Sequence, residues 1–281
     1  MERTKTSTSK KMPIYILLIF LAVIFIAPIA IILMNSFKGR FFISDNTFAF
    51  PNAATFVGIE NYINGINLTD FLNAFKNSLF ITVCSVAVIV FFNSMAAWYI
   101  TRTKTSYSRV LYFLIIFSMV VPFQMVMFTM SKMANMLHLD NPVGIIVLYL
   151  GYGAGLSVFM FGGFIKSIPL EIEEAAMIDG CSPIQTYFKV VFPILKPISI
   201  TVAILETMWI WNDYLLPYLV LGTTENKTIP IAVQYLQGGY GSKDMGALMA
   251  LLVLAIIPVV IFYAFCQKYI IKGIVTGAVK G

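Results

Sequence analysis

The stretch "EEAAMIDGCSPIQTYFKVVFPILKP" occupies residues 173–197 of a 281-residue chain that is otherwise mostly apolar. It starts acidic, breaks at Gly180 and restarts at Ser182-Pro183. Pro169, just upstream, suits the first turn of a helix, where its missing N–H costs nothing. Glu171, Glu173 and Glu174 follow where the helix dipole favours negative charge. Ala175 to Ile178 continue the helix, and Gly180 can end it in the left-handed conformation. Ser182 then caps a second helix with Pro183 at its first position, and Gln185 can complete a capping box. Asp179 alone runs against local rules, because it sits at the negative end of the dipole. A short helix, a tight turn and a second helix are therefore expected. Two readings stay open: an amphipathic hairpin lying on the membrane, or a docking element for a cytoplasmic partner.

The flanking sequence says where this element sits. Hydrophobic residues make up 59% of the chain and charged ones 11%, with a mean hydropathy of +0.86. Soluble chains carry about 25% charged residues, so the balance points to a bilayer. A spanning helix needs about 20 apolar residues. Six runs qualify, at about 13–35, 77–101, 109–130, 142–166, 198–221 and 246–271. The expected fold is an all-α integral membrane protein with six transmembrane helices. Residues 1–12 and 272–281 form tails, 36–76 a long outer loop, and 167–197 the polar segment. The first run is too long for a cleaved leader and lacks a small-x-small site, so it reads as an uncleaved signal-anchor. Pro28 inside it predicts a kink.

Charge asymmetry orients the chain. With both termini cytoplasmic, inner segments hold 13 Lys and Arg and outer segments 6, as the positive-inside rule requires. That asymmetry accounts for the net charge of +6 without a nucleic-acid partner. The expected location is the cell membrane, multi-pass, with residues 167–197 inside. Cys84, Cys181 and Cys266 suggest no structural disulfide. The lone His138 and the lack of a Cys/His cluster argue against a metal site. No G-x-x-x-x-G-K-[ST] occurs, so the chain has no P-loop for ATP and is not expected to be an enzyme by itself.

Glu174, Ala175, Ala176 and Gly180, followed by Val190, Phe192 and Pro193, resemble the EAA motif of binding-protein-dependent ABC transporter permeases. Val190 and Phe192 stand where that pattern has Ile and Leu. The resemblance covers nearly the whole chain and extends to "WNDYLLPYLVL" (211–221), residues 244–273 and "GAVKG" (277–281). It is nearest to maltose- and multiple-sugar-type permeases. The resemblance implies a MetI-like core of five helices (77–271) behind an extra first one, with the EAA segment as a coupling helix. ATPase-coupling residues would be Glu174, Ala175, Ala176, Asp179, Gly180 and Pro193, with Val279, Lys280 and Gly281 touching the ATPases as a tail. Implied partners are a second homologous permease, two ATP-binding subunits that use ATP and Mg, an extracellular or periplasmic substrate-binding protein, and membrane lipid. This chain itself would bind no cofactor.

Ionisable groups inside spans mark functional sites by default. Glu206 falls mid-span, and Asp213, seven residues on, is expected on the same face with Trp209 between them. With Asn212 these four form a candidate sugar path, since aromatic faces and hydrogen-bonding groups suit pyranose rings. Against that stand pairing of Glu206 with a neighbouring helix and an interfacial belt at Trp211–Asp213. Asn93 and Gln124 read as helix–helix contacts, and Gly151 and Gly155 as close packing or a gate. The expected function is the permease subunit of an ATP-driven importer of a carbohydrate, an oligosaccharide above all. Alternatives are an ABC permease for glycerol phosphate or another small solute, or an ion-coupled transporter using Glu206 and Asp213.

Overall fold

The computed structural model describes residues 8–222, 225–237 and 244–278, with side chains placed for 12–222, 225–237 and 244–269. Its helices are, in chain order, α1 (Thr8–Asn35), α2 (Arg40–Asp45), α3 (Glu60–Thr69), α4 (Phe71–Arg102), α5 (Ser106–Ser118), α6 (Phe123–Met136) and α7 (Gly144–Ile165). They continue with α8 (Leu170–Ile178), α9 (Pro183–Thr186), α10 (Phe192–Ile194), α11 (Lys196–Asn212), α12 (Leu215–Leu221), α13 (Ile229–Tyr235) and α14 (Met245–Ala278). Tyr187–Val191, between α9 and α10, forms a π-helical turn. Among the described residues the extended pairing is confined to one bridge, Lys38 with Phe56.

Among the described residues four helical stretches are long and apolar enough to cross a membrane by themselves: Met12–Asn35, Phe71–Arg102, Gly144–Ile165 and Met245–Tyr269. The count reaches six when two bent helix pairs each make one span. The run at 109–130, expected as one helix, is the first departure: α5 and α6 differ in direction by 105°. Pro122 causes it, since it has no N–H to donate and disfavours helix at the residue before it. The run at 198–221 is interrupted too. α11 stops at Asn212, Asp213 turns to extended backbone with ψ 121°, and α12 restarts at Leu215. Upstream, the Pro183–Ile194 stretch meets α11 at 74°, next to Pro197. Pro28, by contrast, lies inside an uninterrupted α1.

The chain separates into two compact units. One draws on the chain up to Phe71 and on Val233–Pro258. Residues 36–76, expected as a loop, hold α2 and α3, which belong to this unit, and the start of α4. Asn61 Nδ2 donates to the carbonyls of Ser36 and Lys38 at 2.8 and 2.7 Å, and the Ser36 and Tyr62 hydroxyls meet at 2.7 Å. Lys38 is buried and donates to the Asn46 carbonyl at 2.7 Å. Buried backbone carbonyls thus find side-chain donors, which a solvated loop would not need. Gly65 lets α3 approach α14: a Cβ there would lie 3.1 Å from Leu251 Cγ and 3.2 Å from the Ala247 carbonyl.

The second unit comprises Leu72–Ala232 and the chain from Val259. Its core includes Ile89 and Ala97 of α4, Tyr149 and Phe161 of α7, and Val191, Leu195 and Val202 further on. Small residues on α7 set the close approaches. A Cβ at Gly153 would come within 2.7 Å of Ile89 Cδ1, and one at Gly155 would strike Met119. Gly151, by contrast, faces open space. The glycine spacing that packs helices is therefore 153/155 and not 151/155. Asn93 Nδ2 donates to Ser157 Oγ at 2.8 Å, tying α4 to α7. Gln124 is exposed in the first turn of α6.

Candidate functional site

The polar segment is built as two short helical pieces around a glycine. Pro169 is the N-cap of α8, one residue before the first turn, and Glu171 and Glu173 lie in that turn. α8 ends in a full Schellman arrangement: Cys181 N–H reaches the Ala176 carbonyl and Gly180 N–H the Met177 carbonyl, both at 3.0 Å. Gly180 takes φ +87°, a conformation open to glycine without strain. The Ser182–Gln185 capping box is present in both directions, at 3.3 and 2.9 Å. Beyond it the helix widens. Phe192 N–H bonds to the Tyr187 carbonyl five residues back, and Pro193 follows. A proline ring clashes with the carbonyl four residues earlier, and the π turn gives that carbonyl room.

Of the residues expected to contact a partner, Glu174, Ala175, Asp179, Gly180 and Pro193 are exposed and Ala176 is half-buried. Their apolar neighbours also stand in the open: Ile178 is 86% and Ile184 67% exposed. Val279, Lys280 and Gly281 lie outside the described residues.

Glu173 does something different from Glu174. It is 1% exposed, and both carboxylate oxygens are engaged. Arg102 donates from Nε at 2.9 Å and from Nη2 at 2.6 Å to Oε1, and Trp98 Nε1 donates to Oε2 at 2.9 Å. Arg102 Nη2 also reaches the Ile168 carbonyl at 3.0 Å, the residue that precedes Pro169. One helix face of α4 carries the whole clasp: Phe91, Ser94, Trp98 and Arg102 recur at turns of the same side. Phe91 stacks on Phe188 with centroids 5.8 Å apart. The Ser94 and Tyr187 hydroxyls meet at 2.7 Å, and Trp98 tilts over Tyr187 at 5.4 Å. In the sequence Trp98 carries no evident role, and Arg102 counts only toward the charge asymmetry. The available signal was this stripe of aromatic and polar residues ending in an arginine at the polar end of a span.

The expected sugar path is only partly assembled. Glu206 is 1% exposed, and its Oε1 finds no partner among the described residues. Its Oε2 lies 3.2 Å from where a Gly153 Cβ would stand, so it packs against α7 and lines no open surface. Asp213 does not continue Glu206's helix face, because the chain leaves the helix there. Its carboxylate accepts from Tyr149 Oη at 3.0 Å and from Leu215 N–H at 3.0 Å, which caps α12. Trp209 is 42% exposed with its ring edge-on to Tyr149 at 5.5 Å, and Asn212 is exposed but donates back to Met208. Trp211 is buried against Phe75 and forms no interfacial belt.

The profile of the family described as "Binding-protein-dependent transport system inner membrane component" matches residues 89–276, taking in the clasp, the glycine turn and α11. This chain belongs to that family. As a permease of this kind it is a multi-pass membrane protein. It is 39% identical over 93% of its length, and 94% of the relative's, to the "Probable starch degradation products transport system permease protein AmyC" of Thermoanaerobacterium thermosulfurigenes. It is 37% identical to the multiple sugar-binding transport system permease protein MsmG of Streptococcus mutans, covering 95% and 96% of the two chains. A permease fold of the same kind occurs in a bacterial ABC transporter involved in the import of the acidic polysaccharide alginate. The match has a TM-score of 0.76 at 23% identity and covers 96% of this chain and 99% of that one.

Proposed function

We propose that this permease is a subunit of an ATP-driven ABC importer that moves a carbohydrate, in particular an oligosaccharide, across the cell membrane. The observation that carries the reading is the exposed Glu174–Gly180 tip mounted on a clasp in which buried Glu173 is held by half-buried Arg102 and Trp98. An exposed apolar tip on a rigid base is what a helix needs to dock in a partner's cleft and pass on its motion. Relatives named for starch degradation products and for multiple sugars supply the substrate class.

In this reading an external binding protein delivers the sugar between this chain and a second homologous permease. Two ATP-binding subunits hydrolyse ATP, with Mg, on the side that holds both termini and the tip. The residues Val279, Lys280 and Gly281 form a further contact with them. Trp209 and Asn212 face the solute, whereas Glu206 packs against α7 and Asp213 ties the start of α12 to Tyr149 of α7.

Reconstitution tests it. The complete complex in liposomes should take up a radiolabelled oligosaccharide only with ATP inside and binding protein outside. Uptake by this chain alone, driven by a proton or sodium gradient, would overturn the proposal.

A further inference from the structure

A second feature lies beside the clasp and has no part in it. The end of α4, the start of α5 and the end of α7 border an open cavity of about 290 Å³. Lys104, Arg109 and Lys166 line it, with Thr101, Thr103 and Tyr112. Among the described residues no carboxylate lines it, and none of the three cations has an ion-pair partner. The nearby acid, Glu173, is already taken by Arg102. Lys166 is held over the Tyr112 ring, 5.6 Å from its centroid, so its charge is aimed and not merely present. The positive end of the α5 dipole starts at the rim, where Thr105 accepts from Ser108 N–H at 3.2 Å.

Three cations without an ion-pair partner among the described residues, with two threonines beside them, fit a phosphate-bearing ligand. The surface next to it says which kind. Tyr107, Val110, Phe113, Leu114 and Phe117 form an exposed apolar stripe along α5, beginning beside Arg109. A free phosphate has no use for such a stripe, but an acyl chain does. Among the described residues lining the cavity there is no carboxylate to take the ammonium of a zwitterionic headgroup.

We propose that this cavity binds the phosphate headgroup of an anionic phospholipid whose acyl chain runs along α5. Basic pockets where helices leave the bilayer bind lipid headgroups for the same electrostatic reason. The inference needs only that α4, α5 and α7 lie in a membrane, so it stands or falls separately from sugar import.

Native mass spectrometry of the purified full chain, with phosphatidylglycerol or phosphatidylcholine added, provides the test. The chain should retain phosphatidylglycerol selectively. Each of K104Q, R109Q and K166Q should weaken retention about fivefold, and the triple variant on the order of 100-fold. The three side chains are exposed, and the K104R/K166R chain should bind as the parent does, which separates charge from misfolding. Equal retention of both lipids, or unchanged retention by the triple variant, would overturn the proposal. Displacement of the lipid by millimolar inorganic phosphate would assign the cavity to a soluble anion. Unchanged lipid retention with loss of the ATPase subunits from the complex would assign it to a protein partner. Either result would overturn the lipid site.

Discussion

Glu173 and Glu174 are adjacent and chemically identical, yet one is sealed in the protein and the other faces out. The helix places their side chains 100° apart, so only Glu173 points at α4. Removing it leaves a half-buried guanidinium and an indole N–H without their acceptor. Breaking such a pair costs more than the pair contributes, because the remaining charge stays desolvated. Glu173→Ala should therefore destabilise the detergent-solubilised chain by about 2–4 kcal/mol, seen as a lower melting temperature. Glu174→Ala should leave the melting temperature unchanged and weaken co-purification of the ATPase subunits. Equal melting losses in both variants would show that the two acids do not differ as described. The difference was not legible in the sequence. Both acids satisfied the same dipole rule, and the partner that separates them lies 71 residues away at Arg102.

The glycine turn and the helix breaks belong to the scale of elements. Gly180, Ser182, Pro183 and Gln185 could be read from local chemistry alone, since caps and turns are made by residues within a few positions of each other. Gly180→Pro demands φ near −65° where the chain holds +87°. The variant should remain in the membrane at parental levels while ATP-driven uptake falls to background, measured on the same vesicles. Normal uptake would mean that the tip's shape does not matter to transport. Local rules failed where a proline met a long apolar run. The 109–130 run has the hydropathy of one span, but Pro122 turns the chain by 105°. The same blindness applied to Asp213, which was placed two turns beyond Glu206 on a helix that ends one residue before it.

At the scale of the whole molecule, the apolar runs are not equivalent. No residue of the most apolar 18-residue stretch within Met12–Asn35 is buried in the chain, whereas half of the corresponding stretch within Gly144–Ile165 is. An exposed span needs only hydrophobicity, since lipid is indifferent to side-chain order. A buried one needs shape, because interiors are close-packed. Scrambling residues 14–26 should leave membrane insertion and melting temperature at parental values. Scrambling residues 145–157, which moves Gly153, Gly155 and Ser157, should prevent recovery of a folded monomer by size-exclusion chromatography. Equal tolerance of the two would refute the contrast.

The sequence by itself determined that this is a helical membrane protein, how its charges are distributed, and that a capped, glycine-hinged polar element interrupts it. Those properties follow from composition and from contacts a few residues long. Only the tertiary structure decided which acid is structural, which glycines pack, that Glu206 is sealed against α7, and that three lysine and arginine side chains converge on one cavity. Each depends on residues from different helices meeting at a few ångströms, and pairing over that distance leaves no local trace in the chain.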